Sequence, residues 1–347
     1  NKYFNLNKVM CVIPSHTYYI SYGIICRIAA RRKVPIIKLF AKNFGNNQFH
    51  LIKLRKSSNY QNITEEYPYF EFKKTFRKLS KKNKAIALKK GKKILSKRIS
   101  GEFDKSLPYM KLSSFNKLNI NNQIIKSKKP KIFLFPHSYI DAPHRYRSIL
   151  FNDFYYQMRF FLNISKRINK YQWYYKPHPN ELKWGKNIHK DILKDFPNVI
   201  KLNKNFSHHS VISTKPDLII TNHGTIAHEY AAFKIPVLCT GDNPHINYNF
   251  CFHAKSLKHI KNILFNLKKE KLKINFDKKY IYEYLFMRYE YFLNLYGKDK
   301  YINDKYFAFK NVKSNQTSKV FSNFLKYSKL KGDSINSYLN NFYKENF

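Results

Sequence analysis

Apolar residues in this chain fall into short runs rich in β-branched or aromatic side chains. Between these runs they recur every three to four positions, the pattern of strands alternating with helices. The clearest instance is Asp217 to Gly241, DLIITNHGTIAHEYAAFKIPVLCTG. Leu218, Ile219 and Ile220 form a compact run closed by Asn222 and Gly224, which predicts a buried strand entering a tight turn. Thr225 is suited to cap a helix, Ala227, Glu229, Ala231 and Ala232 favour one, and Pro236 stops it. Pro236 to Thr240 predicts a second strand. The unit is β-turn-α-β, a crossover that binds ligands at the carboxyl ends of its strands.

The same reading extends both ways. Val9 to Pro14 predicts a strand, Tyr18 to Arg32 a helix and Lys33 to Phe40 another strand, so a second βαβ unit opens the chain with His16 at its strand-to-helix turn. Phe49 to Leu54 predicts a further strand. Lys78 to Ser100 reads as a Lys-rich amphipathic helix with Ile86, Leu88, Ile94 and Leu95 on its apolar side, a face for the core or for anionic lipid. Ile120 to Lys129 is polar and basic like a linker. Strands follow at Lys131 to Pro136, Gln172 to Tyr175 and Val199 to Leu202, with a helix from about Ile149 to Asn169. A basic helix over Lys255 to Leu267, an aromatic one over Tyr280 to Tyr296 and a helical tail from Tyr301 complete the pattern. The expected organisation is an α/β domain over residues 1–125 with a Lys-rich helical insertion, a second over 126–270, and a helical extension over 271–347. Asn1 rather than Met opens the chain, which leaves room for an upstream strand or signal.

Three strand ends of the second half carry candidate chemistry. His137 and Asp141 follow the first, Lys176 and His178 the second, and His223, Gly224 and Thr225 the third, with Glu229 one helical turn on. In a parallel sheet all three open on one edge. Pro177 and Pro179 fix the backbone on either side of His178, which restricts the direction of its imidazole. Lysine, imidazole, hydroxyl and glycine turn suit phosphate oxygens, and Glu229 suits ribose hydroxyls. A solvated loop side chain is the plain reading of each residue alone; their convergence favours a nucleotide.

Composition changes this picture only slightly. The 66 Lys and Arg against 21 Asp and Glu give a formal charge of +45, which invites nucleic acid or an anionic membrane as partner. The excess is spread along the chain with abundant Asn, Ile, Tyr and Phe, as AT-rich codon usage produces, so no specific nucleic acid is expected. Four cysteines without a C-x-x-C pair fit a reducing cytoplasm, and Val9 to Ala30 is too interrupted to span a membrane, so a cytoplasmic protein, free or peripheral on the inner membrane, is expected. No H-E-x-x-H, Walker loop, G-x-G-x-x-G or G-x-S-x-G is present, and the histidines lack ligand spacing on one element, so neither metal nor cofactor is expected.

The order K-P-H-P on a strand end, then G-T-x-x-x-E-Y-A-x-x-x-x-P-V, resembles the donor domain of GT-B-fold transferases that build bacterial surface polysaccharides. The segments FPHSYIDAPHRYRSILFNDFYYQM and SHTYYISYGIICRIAARR are similar to the capsule and lipopolysaccharide biosynthesis family, which includes 3-deoxy-manno-octulosonate transferases and, more distantly, CDP-glycerol glycerophosphotransferases. The resemblance covers about half the chain. It implies two Rossmann-like domains facing across a cleft, followed by C-terminal helices. It further implies a CMP-, CDP- or UDP-linked donor, a glycan or lipid-linked acceptor and no metal, with His178 and Thr225 on donor phosphates and Glu229 on the ribose or sugar. His16 is the expected base for the acceptor hydroxyl and Asp141 the runner-up. The family often has two adjacent hydroxyl residues before the glutamate, whereas His223-Gly224-Thr225 supplies one. Competing readings are a nucleotide-sugar 2-epimerase, a polyol-phosphate transferase, a basic nucleic-acid-binding protein and an inactive relative within a polysaccharide complex.

Overall fold

A computed structural model describes residues 1–43, 48–53, 69–102, 114–115, 128–143, 145–146, 149–179, 181, 183–267, 272 and 275–291. These form two compact units, one of the described residues up to 53 with Tyr291, the other running from 69 to 290.

In the first unit, helix α1 (Lys2–Leu6) precedes helix α2 (Ile20–Arg31). Cys26, Ala29 and Ile36 form a small core with Phe4, Val12, Ala30 and Val34. The expected strand at Val9 to Pro14 contracts to one parallel bridge between Val12 and Ile36, in which the Val12 N–H donates to Pro35 O at 2.9 Å. Met10 and Ile13 are exposed, so the run lacks the second face that would make it a core strand. Strands β1 (Ile37–Asn43) and β2 (Gln48–Lys53) pair antiparallel, Ile37 opposite Lys53.

The second unit is α/β. Its six strands are β3 (Lys131–Leu134), β4 (Gln172–Tyr175), β5 (Val199–Lys201), β6 (Leu218–Thr221), β7 (Val237–Cys239) and β8 (Phe252–His253), all parallel in the order β5-β4-β3-β6-β7-β8. The chain thus winds outward from β3 through β4 to β5, then returns to lay β6 on the other side of β3, the doubly wound Rossmann order. Strands covered on both faces require continuous apolar runs, and all four residues of β6 are buried. Phe133 and Tyr174, register partners on β3 and β4, stack at 4.6 Å.

The crossover helices are α5 (Phe154–Arg167), α6 (Lys183–Leu193), α7 (His208–Ser213), α8 (Ile226–Ala231) and α9 (Leu257–Phe265). Asp153 accepts the Tyr156 N–H at 2.8 Å and starts α5 about five residues later than the apolar pattern alone placed it. Met158, Phe161, Leu162 and Ile164 of α5 pack on Ile132, Leu134 and Ile220 of the sheet.

Helices α3 (Phe72–Arg77), α4 (Lys81–Ile99) and α10 (Lys279–Phe286) belong to this unit as well. The buried seam of α4 is Ala87, Gly91, Leu95 and Arg98, while Ile86 is exposed, which corrects the apolar side expected from hydropathy. Small residues let α10 approach closely: a Cβ on Gly91 would sit 1.9 Å from the Tyr282 carbonyl oxygen. No helix among the described residues is long and apolar enough to cross a membrane. Residues 120–127 of the expected linker, the end of the aromatic helix beyond 291 and the tail lie outside the described residues.

Candidate functional site

The strand order reverses between β3 and β6, and the carboxyl ends of two such strands are where a doubly wound sheet places its ligand crevice. His137 stands three residues beyond β3 and His223 two beyond β6, and their rings lie 4.4 Å apart between centroids. His178, beyond β4, joins them at 5.7 Å from His137. Three of the expected strand-end residues therefore meet. Phe154 packs against both His137 and His223, and Tyr146 meets His223 edge-on at 5.1 Å.

Asp141 Oδ2 is 2.7 Å from His137 Nε2. Partial burial would raise the Asp141 pKa, but the hydrogen bond and charge of His137, the Ala142 N–H and Arg145 hold it below the usual carboxylate range. Loss of hydration, followed by the neighbouring His137, lowers the His178 pKa to about 3. Burial and then His137 likewise push His223 well below the ordinary imidazole value, with Arg145 and Arg288 acting in the same direction. His178 and His223 are therefore neutral at pH 7, and Arg145 and Arg288 contribute fixed positive charge here.

A hydrogen-bond chain sets the tautomer of His223. Gln157 Nε2 donates to Thr240 Oγ1, and Thr240 Oγ1 donates to Asn222 Oδ1 at 3.3 Å. With that amide orientation, Asn222 Nδ2 donates to His223 Nδ1 at 2.7 Å. A neutral imidazole that accepts at Nδ1 carries its proton on Nε2. That Nε2 is buried and has no hydrogen-bond partner among the described residues. A buried donor left unpaired costs about 1–3 kcal/mol, which an acceptor oxygen arriving in the crevice would recover. Gly241 makes room for the chain, since a Cβ there would lie 2.5 Å from Asn222 Oδ1.

A second network fixes the loops that carry His137 and His178. Glu181 accepts the Ser138 hydroxyl at 3.0 Å, the Tyr139 N–H at 3.2 Å and His189 Nε2 at 3.2 Å. His189 Nδ1 lies 2.6 Å from the Tyr175 hydroxyl, which lies 2.8 Å from that of Tyr139. Burial opposes ionisation of Glu181, but its donors outweigh it and hold the pKa below the usual range. A Cβ on Gly185 would come within 2.2 Å of Glu181 Oε1.

The remaining expected residues are placed differently. Lys176 is buried, with Nζ donating to Lys204 O at 3.0 Å, and loss of hydration lowers its pKa to about 8. Gly224 and Thr225 form the partly exposed turn into α8, where Thr225 holds the cap position without a side-chain cap bond. Glu229 is buried, and its Oε1 accepts from Arg98 Nε at 2.9 Å and Nη2 at 2.8 Å. His16 belongs to the first unit, half-buried among the rings of Tyr18, Tyr19 and Tyr22 with Nδ1 3.1 Å from Ser15 Oγ.

No known protein family and no curated protein matches the chain. Among solved structures it is similar to KpsC of Thermosulfurimonas dismutans described as a beta Kdo 2,4 transferase, at 10% identity over 78% of each chain with a TM-score of 0.44. The KpsC beta Kdo 2,7 transferase of that organism matches at 10% identity over 79% of this chain and 90% of the other, with a TM-score of 0.43. UDP-GlcNAc 2-epimerase of Neisseria meningitidis, bound to UDP-GlcNAc, matches at 13% identity over 82% of this chain and 76% of the other, with a TM-score of 0.35. All three lie below a TM-score of 0.5, so the functional reading rests on the residues at the crevice.

Several of those residues escaped the sequence reading. Asn222 and Thr240 look like strand-end polar residues, and only the pairing of β6 with β7 brings them together. Arg145 lies in the run Pro143-His144-Arg145-Tyr146-Arg147, whose basic residues were a readable signal, whereas Arg288 comes from a helix far along the chain. Glu181, two residues beyond Pro179, was equally readable.

Proposed function

We propose that the crevice between β3 and β6 binds the phosphates of a nucleotide-activated donor and that the chain is a GT-B-type glycosyltransferase acting on a growing surface glycan. The observation that carries this reading is the buried, unpartnered His223 Nε2 at the point where the strand order reverses. An N–H donor fixed in direction, with Arg145 and Arg288 near enough to act on His223, is matched to an anionic oxygen. As the bond from sugar to nucleotide phosphate breaks, charge grows on that oxygen, and a donor already oriented stabilises it without reorganisation. His178 and the turn at Gly224 and Thr225 complete the donor side. His137, oriented by Asp141, stands beside it. His16 is the candidate base for the acceptor hydroxyl. Arg98 occupies Glu229 Oε1, so Glu229 is assigned to the scaffold before the donor.

The test is turnover of CMP-, CDP- and UDP-sugars with and without a glycan acceptor. His178→Ala is expected to leave the fold intact, weaken nucleotide binding and abolish donor turnover. His16→Ala is expected to lower turnover while nucleotide affinity stays unchanged. Product formed without acceptor would replace transfer by epimerisation. Unchanged nucleotide affinity and activity in His178→Ala would overturn the assignment.

A further inference from the structure

A different cluster lies at the end of β7, outside the donor crevice. Cys239 closes β7, His245 lies in the following loop, and Cys251 and His253 flank Phe252 on β8, whose pairing sets Cys239 beside His253. The spacing is C-x5-H-x5-C-x-H. The ligand atoms of Cys239, His245 and Cys251 all lie within 4.8 Å of one another. Those side chains are buried, at 1%, 2% and 6% exposure.

We propose that Cys239, His245 and Cys251, with His253 as fourth ligand, form a structural zinc site. The chemistry of the donors supports this. A tetrahedral zinc with Zn–S of about 2.3 Å and Zn–N of about 2.0–2.1 Å sets its ligand atoms roughly 3.5–3.8 Å apart, so a contraction of about 1 Å completes the three-ligand face. Both ring nitrogens of His245 are buried without a hydrogen-bond partner among the described residues, as is Nε2 of His253. Three unpartnered imidazole nitrogens beside two thiols are costly as apolar packing but are the complement a thiophilic cation needs. The rings of His245 and His253 lie 5.6 Å apart. Asn243 holds the loop between them: its Oδ1 accepts the backbone N–H of His245 at 3.1 Å, and its Nδ2 donates to the Gly241 carbonyl at 3.3 Å and lies 3.5 Å from His253 Nδ1.

The charges close as well. Each thiol releases one proton on binding, and two thiolates, two neutral imidazoles and Zn2+ sum to zero, so the buried complex carries no net charge. In the protonated state the Cys251 thiol donates to Ala227 O at 3.3 Å. The ion would close the loop over 240–250, which begins with Thr240 and Gly241 of the His223 hydrogen-bond chain. This site stands independently of the donor reading. Sequence spacing missed it because its ligands come from a strand end, a loop and an edge strand.

The test uses the full chain, reduced and freed of metal by chelation, titrated with cobalt(II) and then zinc(II). The expected result is one cobalt per chain with a thiolate-to-cobalt charge-transfer band and strong visible bands of tetrahedral geometry, both lost on adding zinc. Cys239→Ser and Cys251→Ser are each expected to lose the charge-transfer intensity. A pale octahedral cobalt spectrum in the unmutated chain would overturn the proposal whatever the variants do. So would recovery of Cys239 and Cys251 as a disulfide in protein that takes up no zinc.

Discussion

Arg98 and Glu229 join α4 to α8 across 131 residues, and cutting that pair is expected to be among the most damaging single changes in the second unit. Their side chains are 8% and 6% exposed, and one carboxylate oxygen receives both guanidinium nitrogens at 2.8 and 2.9 Å. At charge separations near 4 Å and an effective dielectric of about 20, the attraction is on the order of 4 kcal/mol. Arg98→Ala removes it and leaves Glu229 buried beside an apolar gap, for an expected loss of about 3–5 kcal/mol. Replacing both partners, as Arg98→Met with Glu229→Leu, removes two desolvation costs together with the attraction and is expected to restore most of that loss. The assay is urea unfolding followed by the fluorescence of buried Trp173, with the unmutated chain, Arg98→Met, Glu229→Leu and their double variant compared as a cycle beside Arg98→Ala. Additive single and double effects, or a loss below about 1 kcal/mol for Arg98→Ala, would refute the reasoning. Glu229→Gln read for nucleotide affinity separates scaffold from ligand: affinity lost at full stability would return Glu229 to the donor.

Further outcomes follow from packing and protonation. Gly91→Ala, which in an exposed helix stabilises by about 1 kcal/mol, is expected here to destabilise, because its Cβ meets the Tyr282 carbonyl; thermal unfolding reads the sign. Lys176 titrates near 8 when folded and near 10.4 when unfolded, so the unfolded chain holds the extra proton between those values and stability rises with pH from about 8 to 10. Lys176→Met is expected to abolish that rise and to be more stable at pH 7, measured by urea midpoints. Burial lowers the pKa of His208, His223, His228 and His245, so each takes up a proton on unfolding once pH falls below about 6.5. Acid is therefore expected to destabilise the chain by about 1.4 kcal/mol per pH unit for each such histidine, and a flat stability between pH 6.5 and 5 would contradict their burial.

The second unit was legible because its strands are buried on both faces. KIFL, QWYY and LIIT admit almost no polar residue, and prolines or glycines mark where they end. The placement of His137, His178 and His223 at one edge followed from parallel pairing alone. What stayed hidden depends on partners distant in sequence. Of the α4 seam only Leu95 was expected: Ala87 and Gly91 rank low in hydropathy, and the burial of Arg98 is intelligible only beside Glu229. Lys176 reads as a solvent-facing cation until Lys204 O and the Phe135 ring close over it. Asn222 carries no signal of its own, since its function in the hydrogen-bond chain is set by Thr240 on the neighbouring strand.

The central claim is that His223 presents an N–H to a nucleotide phosphate. Calorimetric titration of CMP, CDP and UDP into the unmutated chain, His223→Leu and His223→Gln tests it most directly. A hydrogen bond to a charged oxygen is worth about 1.5–3 kcal/mol, so His223→Leu is expected to weaken the bound nucleotide about 10–150-fold, while the amide of His223→Gln restores part of the affinity. Equal affinity in all three proteins, with folding intact, would contradict the account.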